Sequence, residues 1–215
     1  MPTSPHDGQP VVHAGAPLGP DNPVVLMVHG RGAAPANILD LLPRLSRPAC
    51  TYVAPAAADR AWYPFSFMAD RDKNEPWLSS ALTVLGRVVR DLEARGVARS
   101  RIVVLGFSQG ACLASEFVLR HGQGFGGAVV FSGGLIGPPG TTWDDAQGSL
   151  QDMPVFFGCS DVDAHVPKTR VEESAAVFER LGAAVTTRIY PGMGHLVSDD
   201  EIVMAQAVLD RVGRV

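Results

Sequence analysis

The segment of the chain with the clearest chemical signature is Gly106-Phe107-Ser108-Gln109-Gly110, which has the pattern G-x-S-x-G. In this pattern a serine occupies a sharp turn between a strand and a helix, and its hydroxyl is exposed at the edge of a sheet. The glycines let the strand and the helix approach closely, and the helix N-terminus offers free backbone N–H groups to a developing oxyanion. Because the predicted strand 101–105 (RIVVL) precedes the turn and a helical pattern follows it, we predict that Ser108 is a nucleophile.

A serine hydroxyl is a poor nucleophile without a base, and histidine is the usual base. His195 lies in the segment Gly192-Met193-Gly194-His195, directly after a predicted strand that ends at Tyr190. This position at the end of a strand, on a loop, favours His195 as the base, and His165 in an Asp-rich loop is the competing candidate. The other histidines are predicted to be structural: His6, His13, His29 and His121.

The base needs a carboxylate that fixes its tautomer and supports the imidazolium. Asp161 and Asp163 both follow the fifth predicted strand, and both are within reach in principle. Choosing Asp163 gives the chain order Ser108, Asp163, His195, which is the order found in α/β-hydrolases.

An acyl-transfer site also needs donors for the oxyanion. The backbone N–H of Gln109, the residue after the nucleophile, is the first predicted donor. The second is the backbone N–H of Arg31 in the glycine-rich segment His29-Gly30-Arg31-Gly32, which follows the first long strand. The chain contains neither G-x-x-x-x-G-K-[ST] nor G-x-G-x-x-G, so a phosphate-cradling role for this loop is not indicated.

Strands that alternate with helices must position these residues. Strands are predicted at 11–13, 24–29, 51–54, 101–105, 127–131, 155–157 and 185–190, and helices at 37–45, 77–95, 111–121, 168–181 and 199–212. This alternation predicts a single α/β domain with a mainly parallel sheet and helices on both faces. We expect residues 1–10 to be a loose N-terminal tail and residues 11–215 to form the domain. The segment 132–153 is too short for a large lid domain.

Residues 56–76 show no clear periodicity and contain an aromatic cluster. Trp62, Tyr63 and Phe65 are candidate substrate-binding residues, and the alternative is that these rings fill the core beneath the loop. The side chain of Arg31 either attracts an anionic substrate group or is simply solvated.

Composition excludes several other classes of protein. The net charge is −4 and no Lys/Arg-rich run occurs, so we expect no nucleic-acid partner. The apolar runs are too short for stable membrane insertion, and residues 1–10 lack the features of a signal peptide. The three cysteines are widely spaced, which argues against a disulfide framework or a zinc site and favours a cytoplasmic location. We expect no metal and no cofactor.

Four segments together resemble the phospholipase/carboxylesterase family of α/β-hydrolases, to which the acyl-protein thioesterases belong. They are HGRG (29–32), GFSQGA (106–111), GCSDVDAHVP (158–167) and PGMGH (191–195). The resemblance extends from about Val24 to Val212. It implies that Ser108 is the nucleophile, Asp163 the acid and His195 the base, with oxyanion donors at Arg31 and Gln109.

Some positions depart from the thioesterase pattern, which has an apolar residue in place of Arg31 and a proline in place of Ala164. The segments 62–67 and 74–76 look more like a bacterial esterase branch. We therefore expect a serine hydrolase that cleaves carboxylic esters or thioesters of small soluble substrates through an acyl-enzyme, as a monomer or homodimer. The alternatives are a non-hydrolytic small-molecule binding protein on the same scaffold, and a triad enzyme that acts on lactones or C–C bonds.

Overall fold

A seven-stranded sheet forms the centre of the molecule. The computed structural model describes residues 4–45, 47–146 and 148–212. The strands are β1 (Val11–Gly15), β2 (Val24–Val28), β3 (Thr51–Pro55), β4 (Ile102–Phe107), β5 (Gly127–Phe131), β6 (Pro154–Ser160) and β7 (Ala184–Tyr190). The helices are α1 (Pro35–Leu39), α2 (Leu42–Leu45), α3 (Trp77–Ala94), α4 (Gln109–His121), α5 (Lys168–Arg180) and α6 (Asp199–Val212).

The strands lie in the order β1-β3-β2-β4-β5-β6-β7. Only the β1–β3 pair is antiparallel, and every other neighbouring pair is parallel. The carboxyl ends of the parallel strands therefore meet at one edge of the sheet, where ligands bind in open α/β folds. The mainly parallel sheet predicted from the alternation of strands and helices is confirmed.

Two apolar layers cover the two faces of this sheet. In β2, Val24, Leu26 and Val28 contribute to one layer, which includes residues of α3, α4 and α5. Val25 and Met27 contribute to the other, which includes residues of α1, α2 and α6. Because side chains alternate across a strand, a central parallel strand must be apolar at every position. That requirement explains the uninterrupted apolar run from which β2 was predicted.

The single helix predicted over residues 37–45 is wrong, since two short helices, α1 and α2, occupy this region. Pro43 explains the break: it has no N–H to donate, and in a continuous helix its ring would collide with the carbonyl of the preceding turn. The backbone makes a tight turn between the two helices, where the Leu41 N–H donates to the carbonyl of Ile38, three residues earlier, at 3.3 Å.

The N-terminal segment is not loose where the structure describes it, although residues 1–3 of the predicted tail lie outside the described ranges. His6 is fully buried. Its Nε2 lies 2.9 Å from the Trp62 carbonyl, and its Nδ1 accepts the Ala58 N–H at 3.1 Å. The hydroxyl groups of Ser4 and Ser80 form a hydrogen bond of 2.8 Å. Polar contacts between distant residues hold this segment, and such contacts leave no periodic signal in the sequence.

Candidate active site

Ser108 sits in the turn between β4 and α4, with φ 56° and ψ −124°. A side chain makes this backbone conformation unfavourable, and surrounding contacts must hold it in place. The Ser108 N–H donates to the Phe131 carbonyl at 3.0 Å, and its own carbonyl accepts the Cys112 N–H at 3.0 Å. The strained turn therefore presents the hydroxyl at the N-terminal end of α4.

The two glycines of the motif are required by close backbone approach. A Cβ atom at Gly106 would collide with the carbonyl of Gly110. A Cβ atom at Gly110 would collide with the carbonyls of Val28 and His29. These collisions explain in physical terms why small residues flank the serine: α4 begins in direct contact with β2 and β4.

The structure brings together the three side chains that the sequence analysis selected. His195 Nε2 lies 2.9 Å from Ser108 Oγ, and His195 Nδ1 lies 2.6 Å from Asp163 Oδ2. The three residues follow the carboxyl ends of β4, β6 and β7. The parallel sheet thus places a hydroxyl, an imidazole and a carboxylate in a continuous relay.

The carboxylate of Asp163 determines which nitrogen of the imidazole carries the proton. Its Oδ1 accepts the backbone N–H groups of His165 at 2.8 Å and Val166 at 3.0 Å. Burial by itself would raise the pKa of this carboxyl, but the hydrogen bonds from His195 and from the two backbone amides hold the net pKa below its ordinary value. An ionised carboxylate only accepts, so His195 Nδ1 carries a hydrogen and the Nε2 lone pair faces Ser108.

Asp161, the alternative acid, has a different partner. Its Oδ1 accepts the Gly192 N–H at 2.8 Å, and the neighbouring Ser160 Oγ accepts the Gly194 N–H at 3.1 Å. Both bonds hold the loop that carries His195. The sequence analysis did not assign this positioning role to Asp161, and the only feature of the sequence that could have indicated it is the D-x-D spacing of Asp161 and Asp163.

His165, the competing base, is exposed at the edge of the site. Its ring lies edge-on to the ring of His195, with 4.8 Å between the centroids. It lines the cavity in front of Ser108, but the nitrogen bonded to the Ser108 hydroxyl belongs to His195.

The predicted oxyanion donors are free to donate. Within the described ranges, the backbone N–H groups of Arg31 and Gln109 have no hydrogen-bond acceptor. Gln109 is the first residue of α4, and the first N–H groups of a helix have no partner inside it. The turn at Arg31 is closed by the Ala33 N–H, which donates to the Gly30 carbonyl at 3.3 Å, and the Gly32 N–H ties the turn to the Arg60 carbonyl at 2.7 Å.

The side chain of Gln109 links this region to the aromatic segment. Its Oε1 accepts the Trp62 N–H at 2.9 Å, and its Nε2 donates to the Tyr63 carbonyl at 2.8 Å. Trp62 is itself buried, and its Nε1 donates to the His29 carbonyl at 2.8 Å. Trp62 does not line the cavity in front of Ser108. The expectation of substrate contact by this residue is therefore corrected: its ring is bulky enough to fill the space beneath the loop.

A cavity of about 660 Å³ opens in front of Ser108. Tyr63 and Phe65 line it, and Phe65 is 55% exposed; their contact with a substrate stays a prediction. Its wall also includes Arg31, Ile38, Pro64, Phe67, Cys112, His165 and Val166. A largely apolar wall with a few polar groups is typical of small-molecule sites.

Thiols do not compete with the serine. All three cysteines are free and buried. Burial raises the pKa of Cys112, which lines the cavity, and that of Cys159, which lies near Asp163, to about 12 in each case. The reactive form of cysteine is the thiolate, so both remain inert thiols at neutral pH. Among the described residues, no cluster of His, Cys, Asp and Glu is suited to hold a metal ion.

A serine presented by a G-x-S-x-G turn on a parallel sheet, within reach of a histidine, defines a serine hydrolase of the α/β-hydrolase type. The chain belongs to the phospholipase/carboxylesterase family, whose model matches residues 9–212. The family and fold indicated by the sequence motifs are thereby confirmed, as is the assignment to carboxylesterase-type enzymes.

Individual relatives agree with this assignment. The crystal structure of a phospholipase/carboxylesterase from Dyadobacter fermentans is 38% identical, covers 95% of this chain and 96% of its own, and has a TM-score of 0.87. Mouse lysophospholipase-like protein 1 is 22% identical over 87% of this chain and 85% of its own length. Acyl-protein thioesterase 1 of Eremothecium gossypii is 28% identical over 61% of this chain and 58% of its own length. No helix in the described ranges is both long and apolar enough to cross a membrane.

Proposed function

We propose that this protein hydrolyses carboxylic esters of small, soluble substrates through an acyl-enzyme on Ser108. The observation that carries the proposal is the relay from Ser108 Oγ to His195 Nε2 at 2.9 Å and from His195 Nδ1 to Asp163 at 2.6 Å. Both distances suit direct proton transfer and orientation of the base.

The first half of the reaction transfers the acyl group to the serine. His195 Nε2 takes the hydroxyl proton as Ser108 Oγ attacks the carbonyl carbon, and Asp163 stabilises the imidazolium that forms. The backbone N–H groups of Arg31 and Gln109 donate hydrogen bonds to the resulting oxyanion. The tetrahedral intermediate then collapses, and the imidazolium gives its proton to the departing alcohol.

The second half regenerates the enzyme. His195 Nε2 removes a proton from a water molecule, and the hydroxide attacks the acyl carbon bound to Ser108. Collapse of the second intermediate releases the carboxylic acid and returns the proton to Ser108 Oγ. The same two steps cleave a thioester with a thiol as leaving group, and no cofactor enters either step.

The cavity supports a preference for small, soluble esters. The mouth in front of Ser108 carries Arg31, His165 and His195, and such polar groups are costly to cover with a long alkyl chain. Among the described residues of the connection from β5 to β6, no helix or strand forms a separate lid domain over the mouth. A cytoplasmic location and a monomeric or dimeric state remain predictions.

The test combines chemical labelling with a substrate series. A fluorophosphonate probe is expected to label Ser108 stoichiometrically, and p-nitrophenyl esters from acetyl to palmitoyl are expected to be cleaved fastest at the short end. Ser108→Ala should abolish both, whereas Ser115→Ala, which removes a hydroxyl bonded to the Ala111 carbonyl within α4, should retain both. Unchanged turnover in a folded Ser108→Ala variant would refute the mechanism. Absence of labelling in the wild type would instead favour a binding protein.

A further inference from the structure

The electrostatic character of the cavity is set by one fixed cation. Arg31 is the only lysine or arginine in its described wall, and that wall contains no aspartate or glutamate. Among the described residues, Arg31 forms no ion pair. A full positive charge therefore faces the cavity with no carboxylate in the described wall, and the ionised Asp163 is bonded to His195.

The guanidinium of Arg31 is also held in place. Its Nη1 donates to the Pro64 carbonyl at 2.9 Å, and its Nη2 donates to the Phe65 carbonyl at 2.7 Å. The side chain thus bridges the loop after β2 to the aromatic wall, and the group lies 6.0 Å from the centre of the Tyr63 ring. Because a guanidinium has five N–H donors, three of them remain for a ligand.

Restraint and charge together suit this group to anion recognition. A side chain already held in position loses little rotamer freedom when it binds a ligand. A planar guanidinium matches the geometry of a carboxylate. A single fixed charge favours a monoanion over a doubly charged phosphate monoester, which would leave one charge uncompensated in this wall.

We propose that the preferred substrate is an ester that bears a carboxylate in addition to the scissile bond, and that the Arg31 side chain binds this carboxylate. The inference rests on the proposed esterase function and adds the substrate class. The carboxylate belongs either to the acyl part, as in a half-ester of a dicarboxylic acid, or to the alcohol part, as in an acylated hydroxy acid.

Two pairs of substrates that differ in charge but little in shape test the proposal. For the acyl side they are 4-nitrophenyl hydrogen glutarate and 4-nitrophenyl methyl glutarate. For the alcohol side they are 4-acetoxybenzoate and its methyl ester. The readout is the ratio of kcat/KM for the anionic ester to that for the neutral ester, because any general loss of activity cancels in this ratio.

We expect the wild-type ratio to be about tenfold in one of the two pairs, and that pair identifies the side that carries the carboxylate. Arg31→Gln should reduce the ratio to near one, and Arg31→Lys, which keeps the charge but not the planar fork, should give an intermediate value. Arg95→Gln removes the same charge from the exposed end of α3 and should leave the ratio unchanged. The wild-type ratio should also fall with added NaCl, because salt screens an exposed ion pair.

The result separates failure of this inference from failure of the proposed function. A wild-type ratio of one or less in both pairs, with neutral ester hydrolysis that still depends on Ser108, overturns the substrate class alone. A raised ratio that survives Arg31→Gln assigns the recognition to another group and also overturns the proposal. Neutral ester hydrolysis that persists in Ser108→Ala overturns the proposed function itself. The salt dependence of the wild type needs no variant, so the test does not depend on the folding of any substitution.

Discussion

The strained backbone at Ser108 predicts an unusual order of stability for two inactive variants. Ser108→Gly and Ser108→Ala both remove the hydroxyl, so they differ only in whether a Cβ atom occupies a backbone with φ 56° and ψ −124°. Such a conformation costs a non-glycine residue about 1–3 kcal/mol. Alanine recovers about 0.4–1 kcal/mol by restricting the unfolded chain. The difference leaves Ser108→Gly more stable than Ser108→Ala by about 1 kcal/mol.

Thermal unfolding followed by circular dichroism measures this difference. For a chain of 215 residues, about 1 kcal/mol corresponds to a Tm difference of about 2–4 °C. Gly86 in α3 supplies the matched control, because a Cβ atom there would meet no atom nearer than 3.4 Å. Gly86→Ala should therefore raise stability by about 0.5–1 kcal/mol, the reverse of the order at Ser108. If Ser108→Ala melts at or above Ser108→Gly, the serine stores no strain and the reasoning fails.

Three further predictions concern the site and its supports. Asp163→Asn should lower kcat about 10⁴-fold at pH 7. The Oδ1 of the new side chain still accepts the two backbone N–H groups, so its amide nitrogen faces His195 and forces the imidazole proton onto Nε2. Near-normal ester turnover in a folded variant would contradict this prediction. Burial lowers the pKa of His6 and of His29 below 6.5. The unfolded chain then binds more protons than the folded chain, so the free energy of unfolding measured in urea should fall as pH drops from 7.5 through 6.5. The dependence of this free energy on pH should be weaker in His6→Gln. An unchanged dependence would show that His6 contributes nothing to it. Gly110→Ala should cost about 1–3 kcal/mol, since its Cβ would collide with backbone carbonyls of the neighbouring strand. An unchanged urea midpoint would show that the helix and the strand do not approach closely at Gly110.

Most of the element positions were predictable because they follow from periodicity. Strand β5 and helix α6 have the bounds that the sequence indicates, since an apolar run and an amphipathic stripe are local signals. The relay among Ser108, Asp163 and His195 could be selected because the parallel fold sends all strand ends to one edge. The distances could not be predicted, because they depend on the bonds of Ser160 and Asp161 to the loop that carries His195.

The least predictable region was residues 56–76, for a physical reason. The segment is held by single hydrogen bonds from distant side chains, such as the Gln109 amide oxygen, which accepts the Trp62 N–H at 2.9 Å. Its own short 3₁₀ turns, Ala58–Arg60 and Arg71–Asn74, bury little apolar surface. The docking of His6 was missed in the same way. Neither hydrophobic periodicity nor turn composition reports a contact between residues fifty positions apart.

The two hydrogen bonds of the Gln109 side chain have a consequence for protein engineering. They fasten Trp62 and Tyr63 to the start of α4, while the next residues, Phe65 and Ser66, reach the surface with their side chains. Libraries randomised at these two surface positions would reshape the entrance without loosening the backbone amide of Gln109, the proposed oxyanion donor. The entrance can therefore be altered apart from the anchored turn that carries Ser108 and Gln109, which offers a starting point for redirecting the enzyme toward chosen esters.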